Sequence, residues 1–475
     1  MATSVERSGW HELRASGLLG RFLLLCMGVS LHSIDTLVTA TIAPAIVEDI
    51  GGVAFVNWMI SLYQLGAIVA GTVTAFLAQR HGVRRLLISA ALTYGAGCAV
   101  AALAGNMGEL LIGRVVQGLG GGMLLSLCYV GIQRWFPHHL WKRLFGINAV
   151  IWGAGSLLGP LIGSAFATFH AWREAFWLFT ALAAVLIGLI TLRLPAREPG
   201  HAPATAVADT GSWPFATLLV IVCGTLTIAA SGATGRPVLA IGGCLVGIGL
   251  LYTAARMDRT SANRLLPTAL LQTDHPVGAG LLMLFAIAVA TTGFWTYGPL
   301  VLKILFNVTP AFSGFALAGE SIAWSVGTMA VAASPLSADR ALIRAGVVLA
   351  GAGAVGFAAA VPTGSLTGII VCALLQGVGF GISWPSIVHR IVRMADPADQ
   401  ARAATSPTTV LRIGYAVGTA ATGIAANIAG LADGVSVAAA KAAGFWVFAA
   451  FIPIVALSLA GAWRFTATDA GSRHD

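Results

Sequence analysis

The chain has 475 residues, of which 57% are hydrophobic and 9% are charged, and its mean hydropathy is +0.86. Soluble domains are about 25% charged, so this composition excludes a soluble protein and indicates one that crosses a membrane many times. The net charge is +9 and the pI is near 9.7, values that can indicate nucleic-acid binding, but the positions of the charges matter more than their sum.

Fourteen apolar runs follow one another along the chain, each near the roughly 20 residues that a spanning helix needs. The first begins after 17 polar residues of mixed charge and shows no cleavage-site pattern, so we expect a retained helix. A polar linker at 197–212 separates the sixth run from the seventh. The runs lie at about 18–45, 54–78, 86–105, 108–133, 144–168, 173–195, 213–232, 237–255, 277–305, 310–334, 341–361, 365–392, 403–428 and 442–463.

The basic residues alternate between the two sides that these runs define. If Arg21 is counted with the N-terminal tail, 21 of the 27 Lys and Arg residues fall in the terminal tails and the even-numbered loops, and four fall in the odd-numbered loops. Because loops on the cytoplasmic side carry the excess of Lys and Arg, this asymmetry predicts cytoplasmic termini and an even number of helices. It also explains the basic pI without any nucleic acid.

An internal repeat relates the two halves of the chain. Gln117 in VVQGLGGG (115–122) aligns with Gln376 in LLQGVGFG (374–381), an offset of 259. The same offset takes Gly155 and Gly159 onto glycines 414 and 418. Parallel six-helix repeats build one large class of transporters, so we expect two six-helix bundles with the seventh and eighth runs inserted between them.

This repeat predicts the domain organisation. The N-terminal bundle would occupy 1–196, the linker and the two inserted helices 197–275, and the C-terminal bundle 276–475. The fold class is therefore an all-α polytopic membrane protein.

The fifth run contains the glycine-rich stretch GINAVIWGAGSLLGPLIG (146–163). Gly155 and Gly159 are four residues apart and share one helix face, so a second backbone can approach closely there. The contact is either a static, tightly packed helix pair or a sliding contact between the two halves. For the second case we expect run 10 to be the partner.

Two titratable side chains lie inside the first run. Asp35 is near its middle, where a carboxylate is costly unless it is paired or protonated, and such a position favours proton loading and release. The alternative is a static hydrogen-bonded Asp at a bend of the helix. His32 lies three residues earlier on the same face, either as a proton relay or only as a hydrogen-bond partner of Asp35 or water.

Three further charges lie inside apolar runs. Arg114 cannot lose its proton and needs an acidic or carbonyl partner, so it either takes part in proton transfer or forms an ion pair that fixes the fourth helix. Glu320, midway along run 10, is a second buried acid that joins proton coupling, attracts a cationic substrate or pairs with a packed neighbour. Arg412, beside the second glycine pair, is expected to be structural.

Several large or polar side chains are candidates for the lining of a cavity. Aromatic side chains in membrane helices more often serve as packing elements or interface anchors, and that alternative stays open for each of them. The candidates are Gln117, Trp295, Tyr297, Trp324, Gln376 and Trp384.

Motifs of soluble enzymes are not convincing in this chain. GAGAVG (351–356) fits a dinucleotide-binding pattern but lies in a spanning run with no preceding strand. NVT at 307–309 fits an N-glycosylation sequon, and we interpret this match as a coincidence. The six cysteines all lie in apolar runs without a CxxC pair, so we expect core residues and neither a metal site nor disulfides. We therefore expect no metal, no cofactor and no enzymatic activity.

Several of these stretches resemble motifs of the major facilitator superfamily, and within it the fourteen-helix drug:proton antiporters. The stretch at 146–163 is similar to the antiporter signature of the fifth helix, although Ser164 stands where its last glycine is usual. The matching positions are Gly146, Gly155, Gly159, Pro160 and Gly163. This signature implies exchange of a substrate for protons.

Other matches are spread over both halves. AFLAQRHGVRRLL (75–87) resembles the basic loop between helices 2 and 3, and GRVVQG (113–118) resembles the membrane-embedded Arg-x-x-Gln-Gly motif, which implies a role for Arg114 in proton transfer. DTLVTATIAP (35–44), AWREAFWLF (171–179) and LRIGYAVGTAATG (411–423) resemble further patterns of the fourteen-helix proteins. The matching loop positions are Arg80, Gly82, Arg84 and Arg85.

The resemblance implies a proton-coupled antiporter that exports a small, amphipathic organic compound by alternating access about a central cavity. The expected partners are a small-molecule substrate, protons and membrane lipid, with no nucleic acid, and the chain is expected to be a monomer in the bacterial inner membrane. The alternatives are an exporter of a lipid or biosynthetic metabolite, and a non-transporting membrane sensor with the same fold.

Overall fold

The computed structural model describes residues 17–51, 56–195, 214–232, 236–261, 263–308, 310–429 and 437–467. These ranges contain fifteen α-helices and no β-strand. The linker at 197–212, the sequon threonine and both ends of the chain lie outside them. The helices are α1 (Leu18–Ile50), α2 (Val56–His81), α3 (Val83–Leu103), α4 (Met107–Trp135), α5 (His138–Thr168), α6 (Trp172–Arg193), α7 (Phe215–Gly232), α8 (Pro237–Thr260), α9 (Pro276–Phe306), α10 (Pro310–Val331), α11 (Asp339–Ala360), α12 (Leu366–Met394), α13 (Gln400–Ile428), α14 (Val437–Ala449) and α15 (Ile452–Ala467).

The helices follow the apolar runs closely. Helices α1 to α13 correspond one to one with the first thirteen runs, while α14 and α15 share the fourteenth. The helix of the fourteenth run is interrupted at Ala450 and Phe451, a detail that the apolar pattern does not predict. Within the described ranges, eleven spans are long and apolar enough to cross a membrane, including the broken one at Gly444–Ala467. The prediction of an all-α polytopic membrane protein is confirmed.

The chain divides into two compact units. Unit 1 comprises Met1–Phe215 with Ser261–Leu265 and Ala404–Ser406, and therefore holds α1 to α6. Unit 2 comprises Ala216–Thr260, Leu266–Ala403 and Pro407–Asp475. The boundaries predicted at 196 and 275 stay a prediction.

Helix α4 is the central helix of unit 1, and its glycines determine how closely its neighbours approach. An added Cβ at Gly118 would lie 2.2 Å from the Tyr63 carbonyl oxygen of α2, and one at Gly122 would lie 2.3 Å from Ala67 Cα. On the opposite face, a Cβ at Gly120 would lie 2.2 Å from the backbone nitrogen of α3 at Tyr94. Real Cβ atoms do not come so near to a backbone, so glycine permits direct backbone contact here.

Helix α12 makes the corresponding contacts in unit 2. A Cβ at Gly377 would lie 2.1 Å from the Glu320 carbonyl oxygen, and one at Gly381 would lie 2.2 Å from that of Trp324. Gly118 and Gly377 are 259 residues apart, as the repeat predicts. The shared packing pattern supports the internal repeat and places Glu320 of α10 where α2 has Tyr63.

The inserted helices α7 and α8 pack on each other and on the rest of unit 2. A Cβ at Gly247 of α8 would lie 2.5 Å from Ile228 of α7, so the two helices are in close contact. Ile228 and Cys244 are buried in a cluster with Val289 of α9 and Phe451. The insertion thereby contributes side chains to the core of unit 2.

Candidate functional site

The fold brings Asp35, Arg114 and Gln117 together in the interior of unit 1. All three side chains are fully buried. Arg114 donates from Nη1 to Asp35 Oδ2 at 3.1 Å and to Gln117 Oε1 at 2.6 Å. Gln117 in turn donates from Nε2 to Asp35 Oδ1 at 2.9 Å, and Thr39 adds a hydrogen bond to the same oxygen at 3.4 Å. The three residues form a closed triangle across α1 and α4.

Helix geometry explains why the sequence motif produces this triangle. Arg114 and Gln117 are three residues apart on α4 and share a face, and that face meets the middle of α1. Arg114 also donates from Nε to the Met59 carbonyl oxygen at 3.2 Å, whereas its Nη2 is buried without a hydrogen-bond partner. The guanidinium is thus held on two sides and incompletely satisfied on the third.

The triangle is an ion pair whose strength depends on one proton. Arg114 keeps its charge under all physiological conditions, while Asp35 can be neutralised by protonation. Protonation of Asp35 would remove the attraction between α1 and α4 and leave Arg114 with Gln117 and the Met59 carbonyl oxygen. A buried pair of this kind can therefore convert proton binding into a change of helix contact.

His32 is in the same interior and is hydrogen-bonded to Tyr63 of α2. Its Nδ1 lies 2.6 Å from the Tyr63 hydroxyl oxygen, and the two rings stack with centroids 5.3 Å apart. The expected partner was Asp35 or water, so that expectation missed Tyr63. The ring of Tyr63 also lies beneath Arg114, with 4.2 Å between the guanidinium carbon and the ring centroid. The sequence repeat offered no signal, because its offset of 259 sets Tyr63 against Ile322, and only the glycine contacts of α4 and α12 set it against Glu320.

Glu320 occupies a different environment in unit 2. It is buried, it interacts with the Trp295 side chain, and its Oε2 has no hydrogen-bond partner. Trp324, one turn further along α10, stacks on Phe380 at 4.8 Å and meets Trp384 edge to face at 6.0 Å. Its Nε1 is also buried without a hydrogen-bond partner. The pair of unsatisfied polar atoms on one helix makes this region the second candidate site.

The remaining cavity candidates of unit 2 differ in exposure. Trp384 and Gln376 are buried in α12, and Gln376 Oε1 has no hydrogen-bond partner. Tyr297 is half-buried against a hydrophobic cluster, whereas Trp295 is 41% exposed. Arg412 is half-buried beside Tyr415 on α13. Whether any of them lines a cavity stays a prediction.

The glycine face of α5 packs against α1. An added Cβ at Gly155 would lie 2.8 Å from Ser33 Oγ, and one at Gly159 would lie 2.5 Å from Leu37 Cβ. Gly163 continues the contact one turn further along, and Gly146 is buried. These nearest neighbours belong to the same unit, and the expected contact with run 10 stays a prediction. The Pro160 side chain lies outside the described residues.

The basic loop between α2 and α3 binds carbonyl groups of unit 1. Gly82 adopts a φ of 78° and precedes α3, a conformation that suits glycine. Arg84 donates to the carbonyl oxygens of Leu194 and Thr191 at the C-terminus of α6, at 3.0 and 3.4 Å. Arg80 lies over the Phe76 ring, and Arg85 is exposed. The loop therefore ties α3 to α6.

The Trp-Arg motif at the start of α6 binds the end of α1. Asp49 accepts hydrogen bonds from Arg173 and, at 3.2 Å, from Trp172 Nε1. These bonds, that from Arg173 first, lower the pKa of Asp49 below its usual value. The contact joins α1 and α6 at the end opposite to the basic loop.

The cysteines are all unpaired. Cys98, Cys128, Cys244 and Cys372 are buried as expected, but Cys223 is exposed. The prediction of a core position is wrong for Cys223, since an outward-facing position on a spanning helix meets lipid and tolerates a small apolar thiol. Within the described ranges no group of His, Cys, Asp and Glu side chains is arranged to hold a metal ion.

A repeated bundle of spanning helices with a buried ion pair is the architecture of a large class of membrane transporters. A family model for the Major Facilitator Superfamily matches residues 25–419. The chain belongs to this superfamily, which confirms the family suggested by the sequence motifs.

The chain is similar in sequence to a bacterial protein and in fold to two solved structures. A probable multidrug-efflux transporter of Mycobacterium tuberculosis is 30% identical over 481 residues, covering 98% of each chain. The human organic anion transporter MFSD10 has a TM-score of 0.66 at 14% identity, covering 94% of this chain and 98% of that one. The proton:xylose symporter XylE also has a TM-score of 0.66, at 15% identity, with coverages of 95% and 96%. At these identities the two structures share the fold alone.

Proposed function

We propose that this chain is a secondary active transporter that exports a small, amphipathic organic compound in exchange for protons. The observation that carries the proposal is the wholly buried Asp35–Arg114–Gln117 triangle of unit 1. An idle charge pair in a membrane interior is costly, and its retention favours a working proton site over a sensor or scaffold. The name of the mycobacterial relative supports efflux of organic compounds.

In the proposed cycle, Asp35 is the proton carrier and Arg114 stabilises its deprotonated form. Protonation from the acidic side weakens the α1–α4 contact, and deprotonation on the other side restores it. Glu320 contributes either a second proton or the negative charge that attracts a cationic substrate. Neither role requires a metal or a cofactor.

The proposal includes the orientation and the assembly. A monomer in the bacterial inner membrane, surrounded by lipid, would have both termini and the 197–212 linker in the cytoplasm, as the distribution of Lys and Arg favours. Reporter fusions within the linker and after residue 475 test this orientation. A reporter active outside the cytoplasm at either position would contradict it.

The transport experiment uses purified protein in vesicles with an acidic lumen and a pH-sensitive dye inside. Four compounds are added outside, one at a time. They are the cation ethidium, a neutral amphipathic dye, an organic anion and xylose. We expect ethidium or the neutral dye to release luminal protons and to accumulate, and we expect vesicles carrying Asp35→Asn to do neither. Accumulation of a compound without proton release would refute antiport, and failure of the whole panel to accumulate would refute export of amphipathic compounds.

A further inference from the structure

Tyr63 contacts both the ion pair and the histidine of unit 1. It is wholly buried on α2, between α1 and α4. Its ring face supports the Arg114 guanidinium at 4.2 Å, and its hydroxyl group lies 2.6 Å from His32 Nδ1. The Asp35–Arg114 ion pair and His32 are therefore linked through one tyrosine.

The ring restricts where the guanidinium can lie. A cation over an aromatic face is attracted by the ring quadrupole, and the attraction strengthens where water is excluded. The Met59 carbonyl oxygen binds Arg114 from the same helix at 3.2 Å. Together the carbonyl and the ring direct Nη1 toward Asp35, while Nη2 is left without a hydrogen bond.

The hydroxyl group restricts the ring in turn. His32 binds the hydroxyl and stacks on the ring, and Trp152 of α5 lies edge-on to the His32 ring at 5.5 Å. Gly121 of α4 provides the room for this bond. An added Cβ there would lie 2.6 Å from the Tyr63 hydroxyl oxygen and 2.8 Å from His32 Nδ1. A glycine is thus required for Tyr63 and His32 to meet beside α4.

We propose that Tyr63 is the positioning residue that holds Arg114 against Asp35, and that the hydrogen bond to His32 fixes the plane of its ring. The transport consequence of this arrangement rests on the proposed function, but the positioning itself does not. Tyr63 exchanges no proton in this scheme. Its effect passes entirely through Arg114.

Three variants separate the parts of the arrangement. Tyr63→Phe keeps the ring and removes the hydroxyl, Tyr63→Leu removes both, and Gly121→Ala disturbs the hydrogen bond while leaving the tyrosine in place. Tyr129→Phe is the matched control for loss of a buried hydroxyl elsewhere on α4. Gly188→Ala is the glycine control, because nothing lies within 4 Å of its added Cβ.

The transport assay measures two quantities for each variant, with ethidium as the probe. The first is exchange of ethidium without a pH gradient, and the second is accumulation driven by an imposed gradient. For Tyr63→Leu we expect driven accumulation to fall at least about tenfold, while gradient-free exchange changes less than about twofold. Tyr63→Phe and Gly121→Ala should resemble each other and fall between Tyr63→Leu and the wild type.

Two transport results would overturn the proposal. One is a Tyr63→Leu protein that accumulates ethidium under the gradient as the wild type does. The other is an equal loss of exchange and driven accumulation in Tyr63→Phe and Tyr63→Leu, which would indicate a general structural or substrate-binding role.

A stability cycle tests positioning without any transport. Thermal midpoints are measured for Asp35→Asn, Tyr63→Leu and the double variant. Because both changes act on Arg114, we expect the double variant to lose less than the sum of the single losses, by about 2 °C or more. Additive shifts would overturn the proposal, whatever the transport results.

This cycle also separates the two proposals. If the wild type accumulates no compound of the panel, the proposed function fails, and the stability cycle alone decides the role of Tyr63. If Tyr63→Leu does not fold, the cycle is run with Gly121→Ala in its place, and the same criterion of additivity applies.

Discussion

Replacing Asp35 with asparagine removes the only negative charge that the triangle places opposite the buried guanidinium of Arg114. Loss of one partner of a buried ion pair costs about 3–5 kcal/mol, since the other charge stays desolvated. Arg114 keeps its bonds to Gln117 and to the Met59 carbonyl oxygen, which favours the lower end of this range. For a unit of this size, about 3 kcal/mol corresponds to a fall of roughly 6–12 °C in the thermal midpoint.

The same variant fixes the site in the neutral state that protonation would create. We therefore expect it to insert into the membrane but to lose gradient-driven accumulation of ethidium. Asp35→Glu keeps an acid at an altered distance from Arg114 and should retain partial activity with a shifted pH optimum.

The matched control is the double variant Asp35→Asn with Arg114→Gln, which removes both charges. We expect it to recover most of the lost thermal midpoint, because no uncompensated charge remains, and to stay inactive in driven transport. Wild-type accumulation in the single Asn variant would remove Asp35 from the mechanism and make Glu320 the leading candidate. A midpoint unchanged in the single variant would refute the electrostatic reasoning itself.

Three further changes test other parts of the structure. Gly159→Leu places a large side chain where a Cβ alone would lie 2.5 Å from a side chain of α1, so folded yield and transport should both fall. The control Gly188→Leu should be neutral. Normal transport by Gly159→Leu would refute close packing of α5 on α1. Glu320→Gln removes a carboxyl group with an unsatisfied oxygen, so the thermal midpoint should stay the same or rise while ethidium transport falls. A large loss of stability would contradict this, because it would show that a positive charge stabilises the Glu320 carboxylate. Asp49→Asn loses the carboxylate that pairs with Arg173. The pKa of Asp49 is lowered, so the stabilisation by this carboxylate is present above the usual pKa near 4 and is lost as the pH falls through the lower value. The midpoint should fall at pH 7 with a difference that shrinks below about pH 4, and a pH-independent difference would contradict this reading.

The sequence predicts the fold because hydropathy is a strong signal in a membrane chain. The runs around α1 to α13 have the length and composition that a spanning helix requires, and their boundaries fall at charged residues, glycines and prolines. The break at Ala450 and Phe451 is missed by hydropathy, because both residues are apolar. Its sequence signal is Pro453, which has no N–H to donate to the preceding turn and therefore stands near the start of a new helix.

The site was only partly predictable from the sequence. Asp35, Arg114 and Gln117 are recognisable one by one, because charged and amide side chains are rare in spanning helices. Their mutual contact depends on the relative rotation of α1 and α4, which the glycines of α4 determine and no single helix reveals. Tyr63 escaped notice because a tyrosine in an apolar run resembles an ordinary packing residue, and only its position under Arg114 distinguishes it.

The internal repeat shows where the two units differ. The glycine contacts of α5 and α13 pair Ser33 with Ala288 and Leu37 with Thr292, so the counterpart of Asp35 is an alanine at 290. The offset of the α4 repeat likewise sets an alanine at 373 against Arg114, while the glutamine is kept as Gln376, whose Oε1 lacks the partner that Arg114 gives to Gln117. The charge pair is therefore confined to one half of the repeat, and the other half has only the glutamine. Gln376 is thus a buried amide with an unused acceptor in unit 2, at the place where Gln117 of unit 1 joins Arg114 to Asp35.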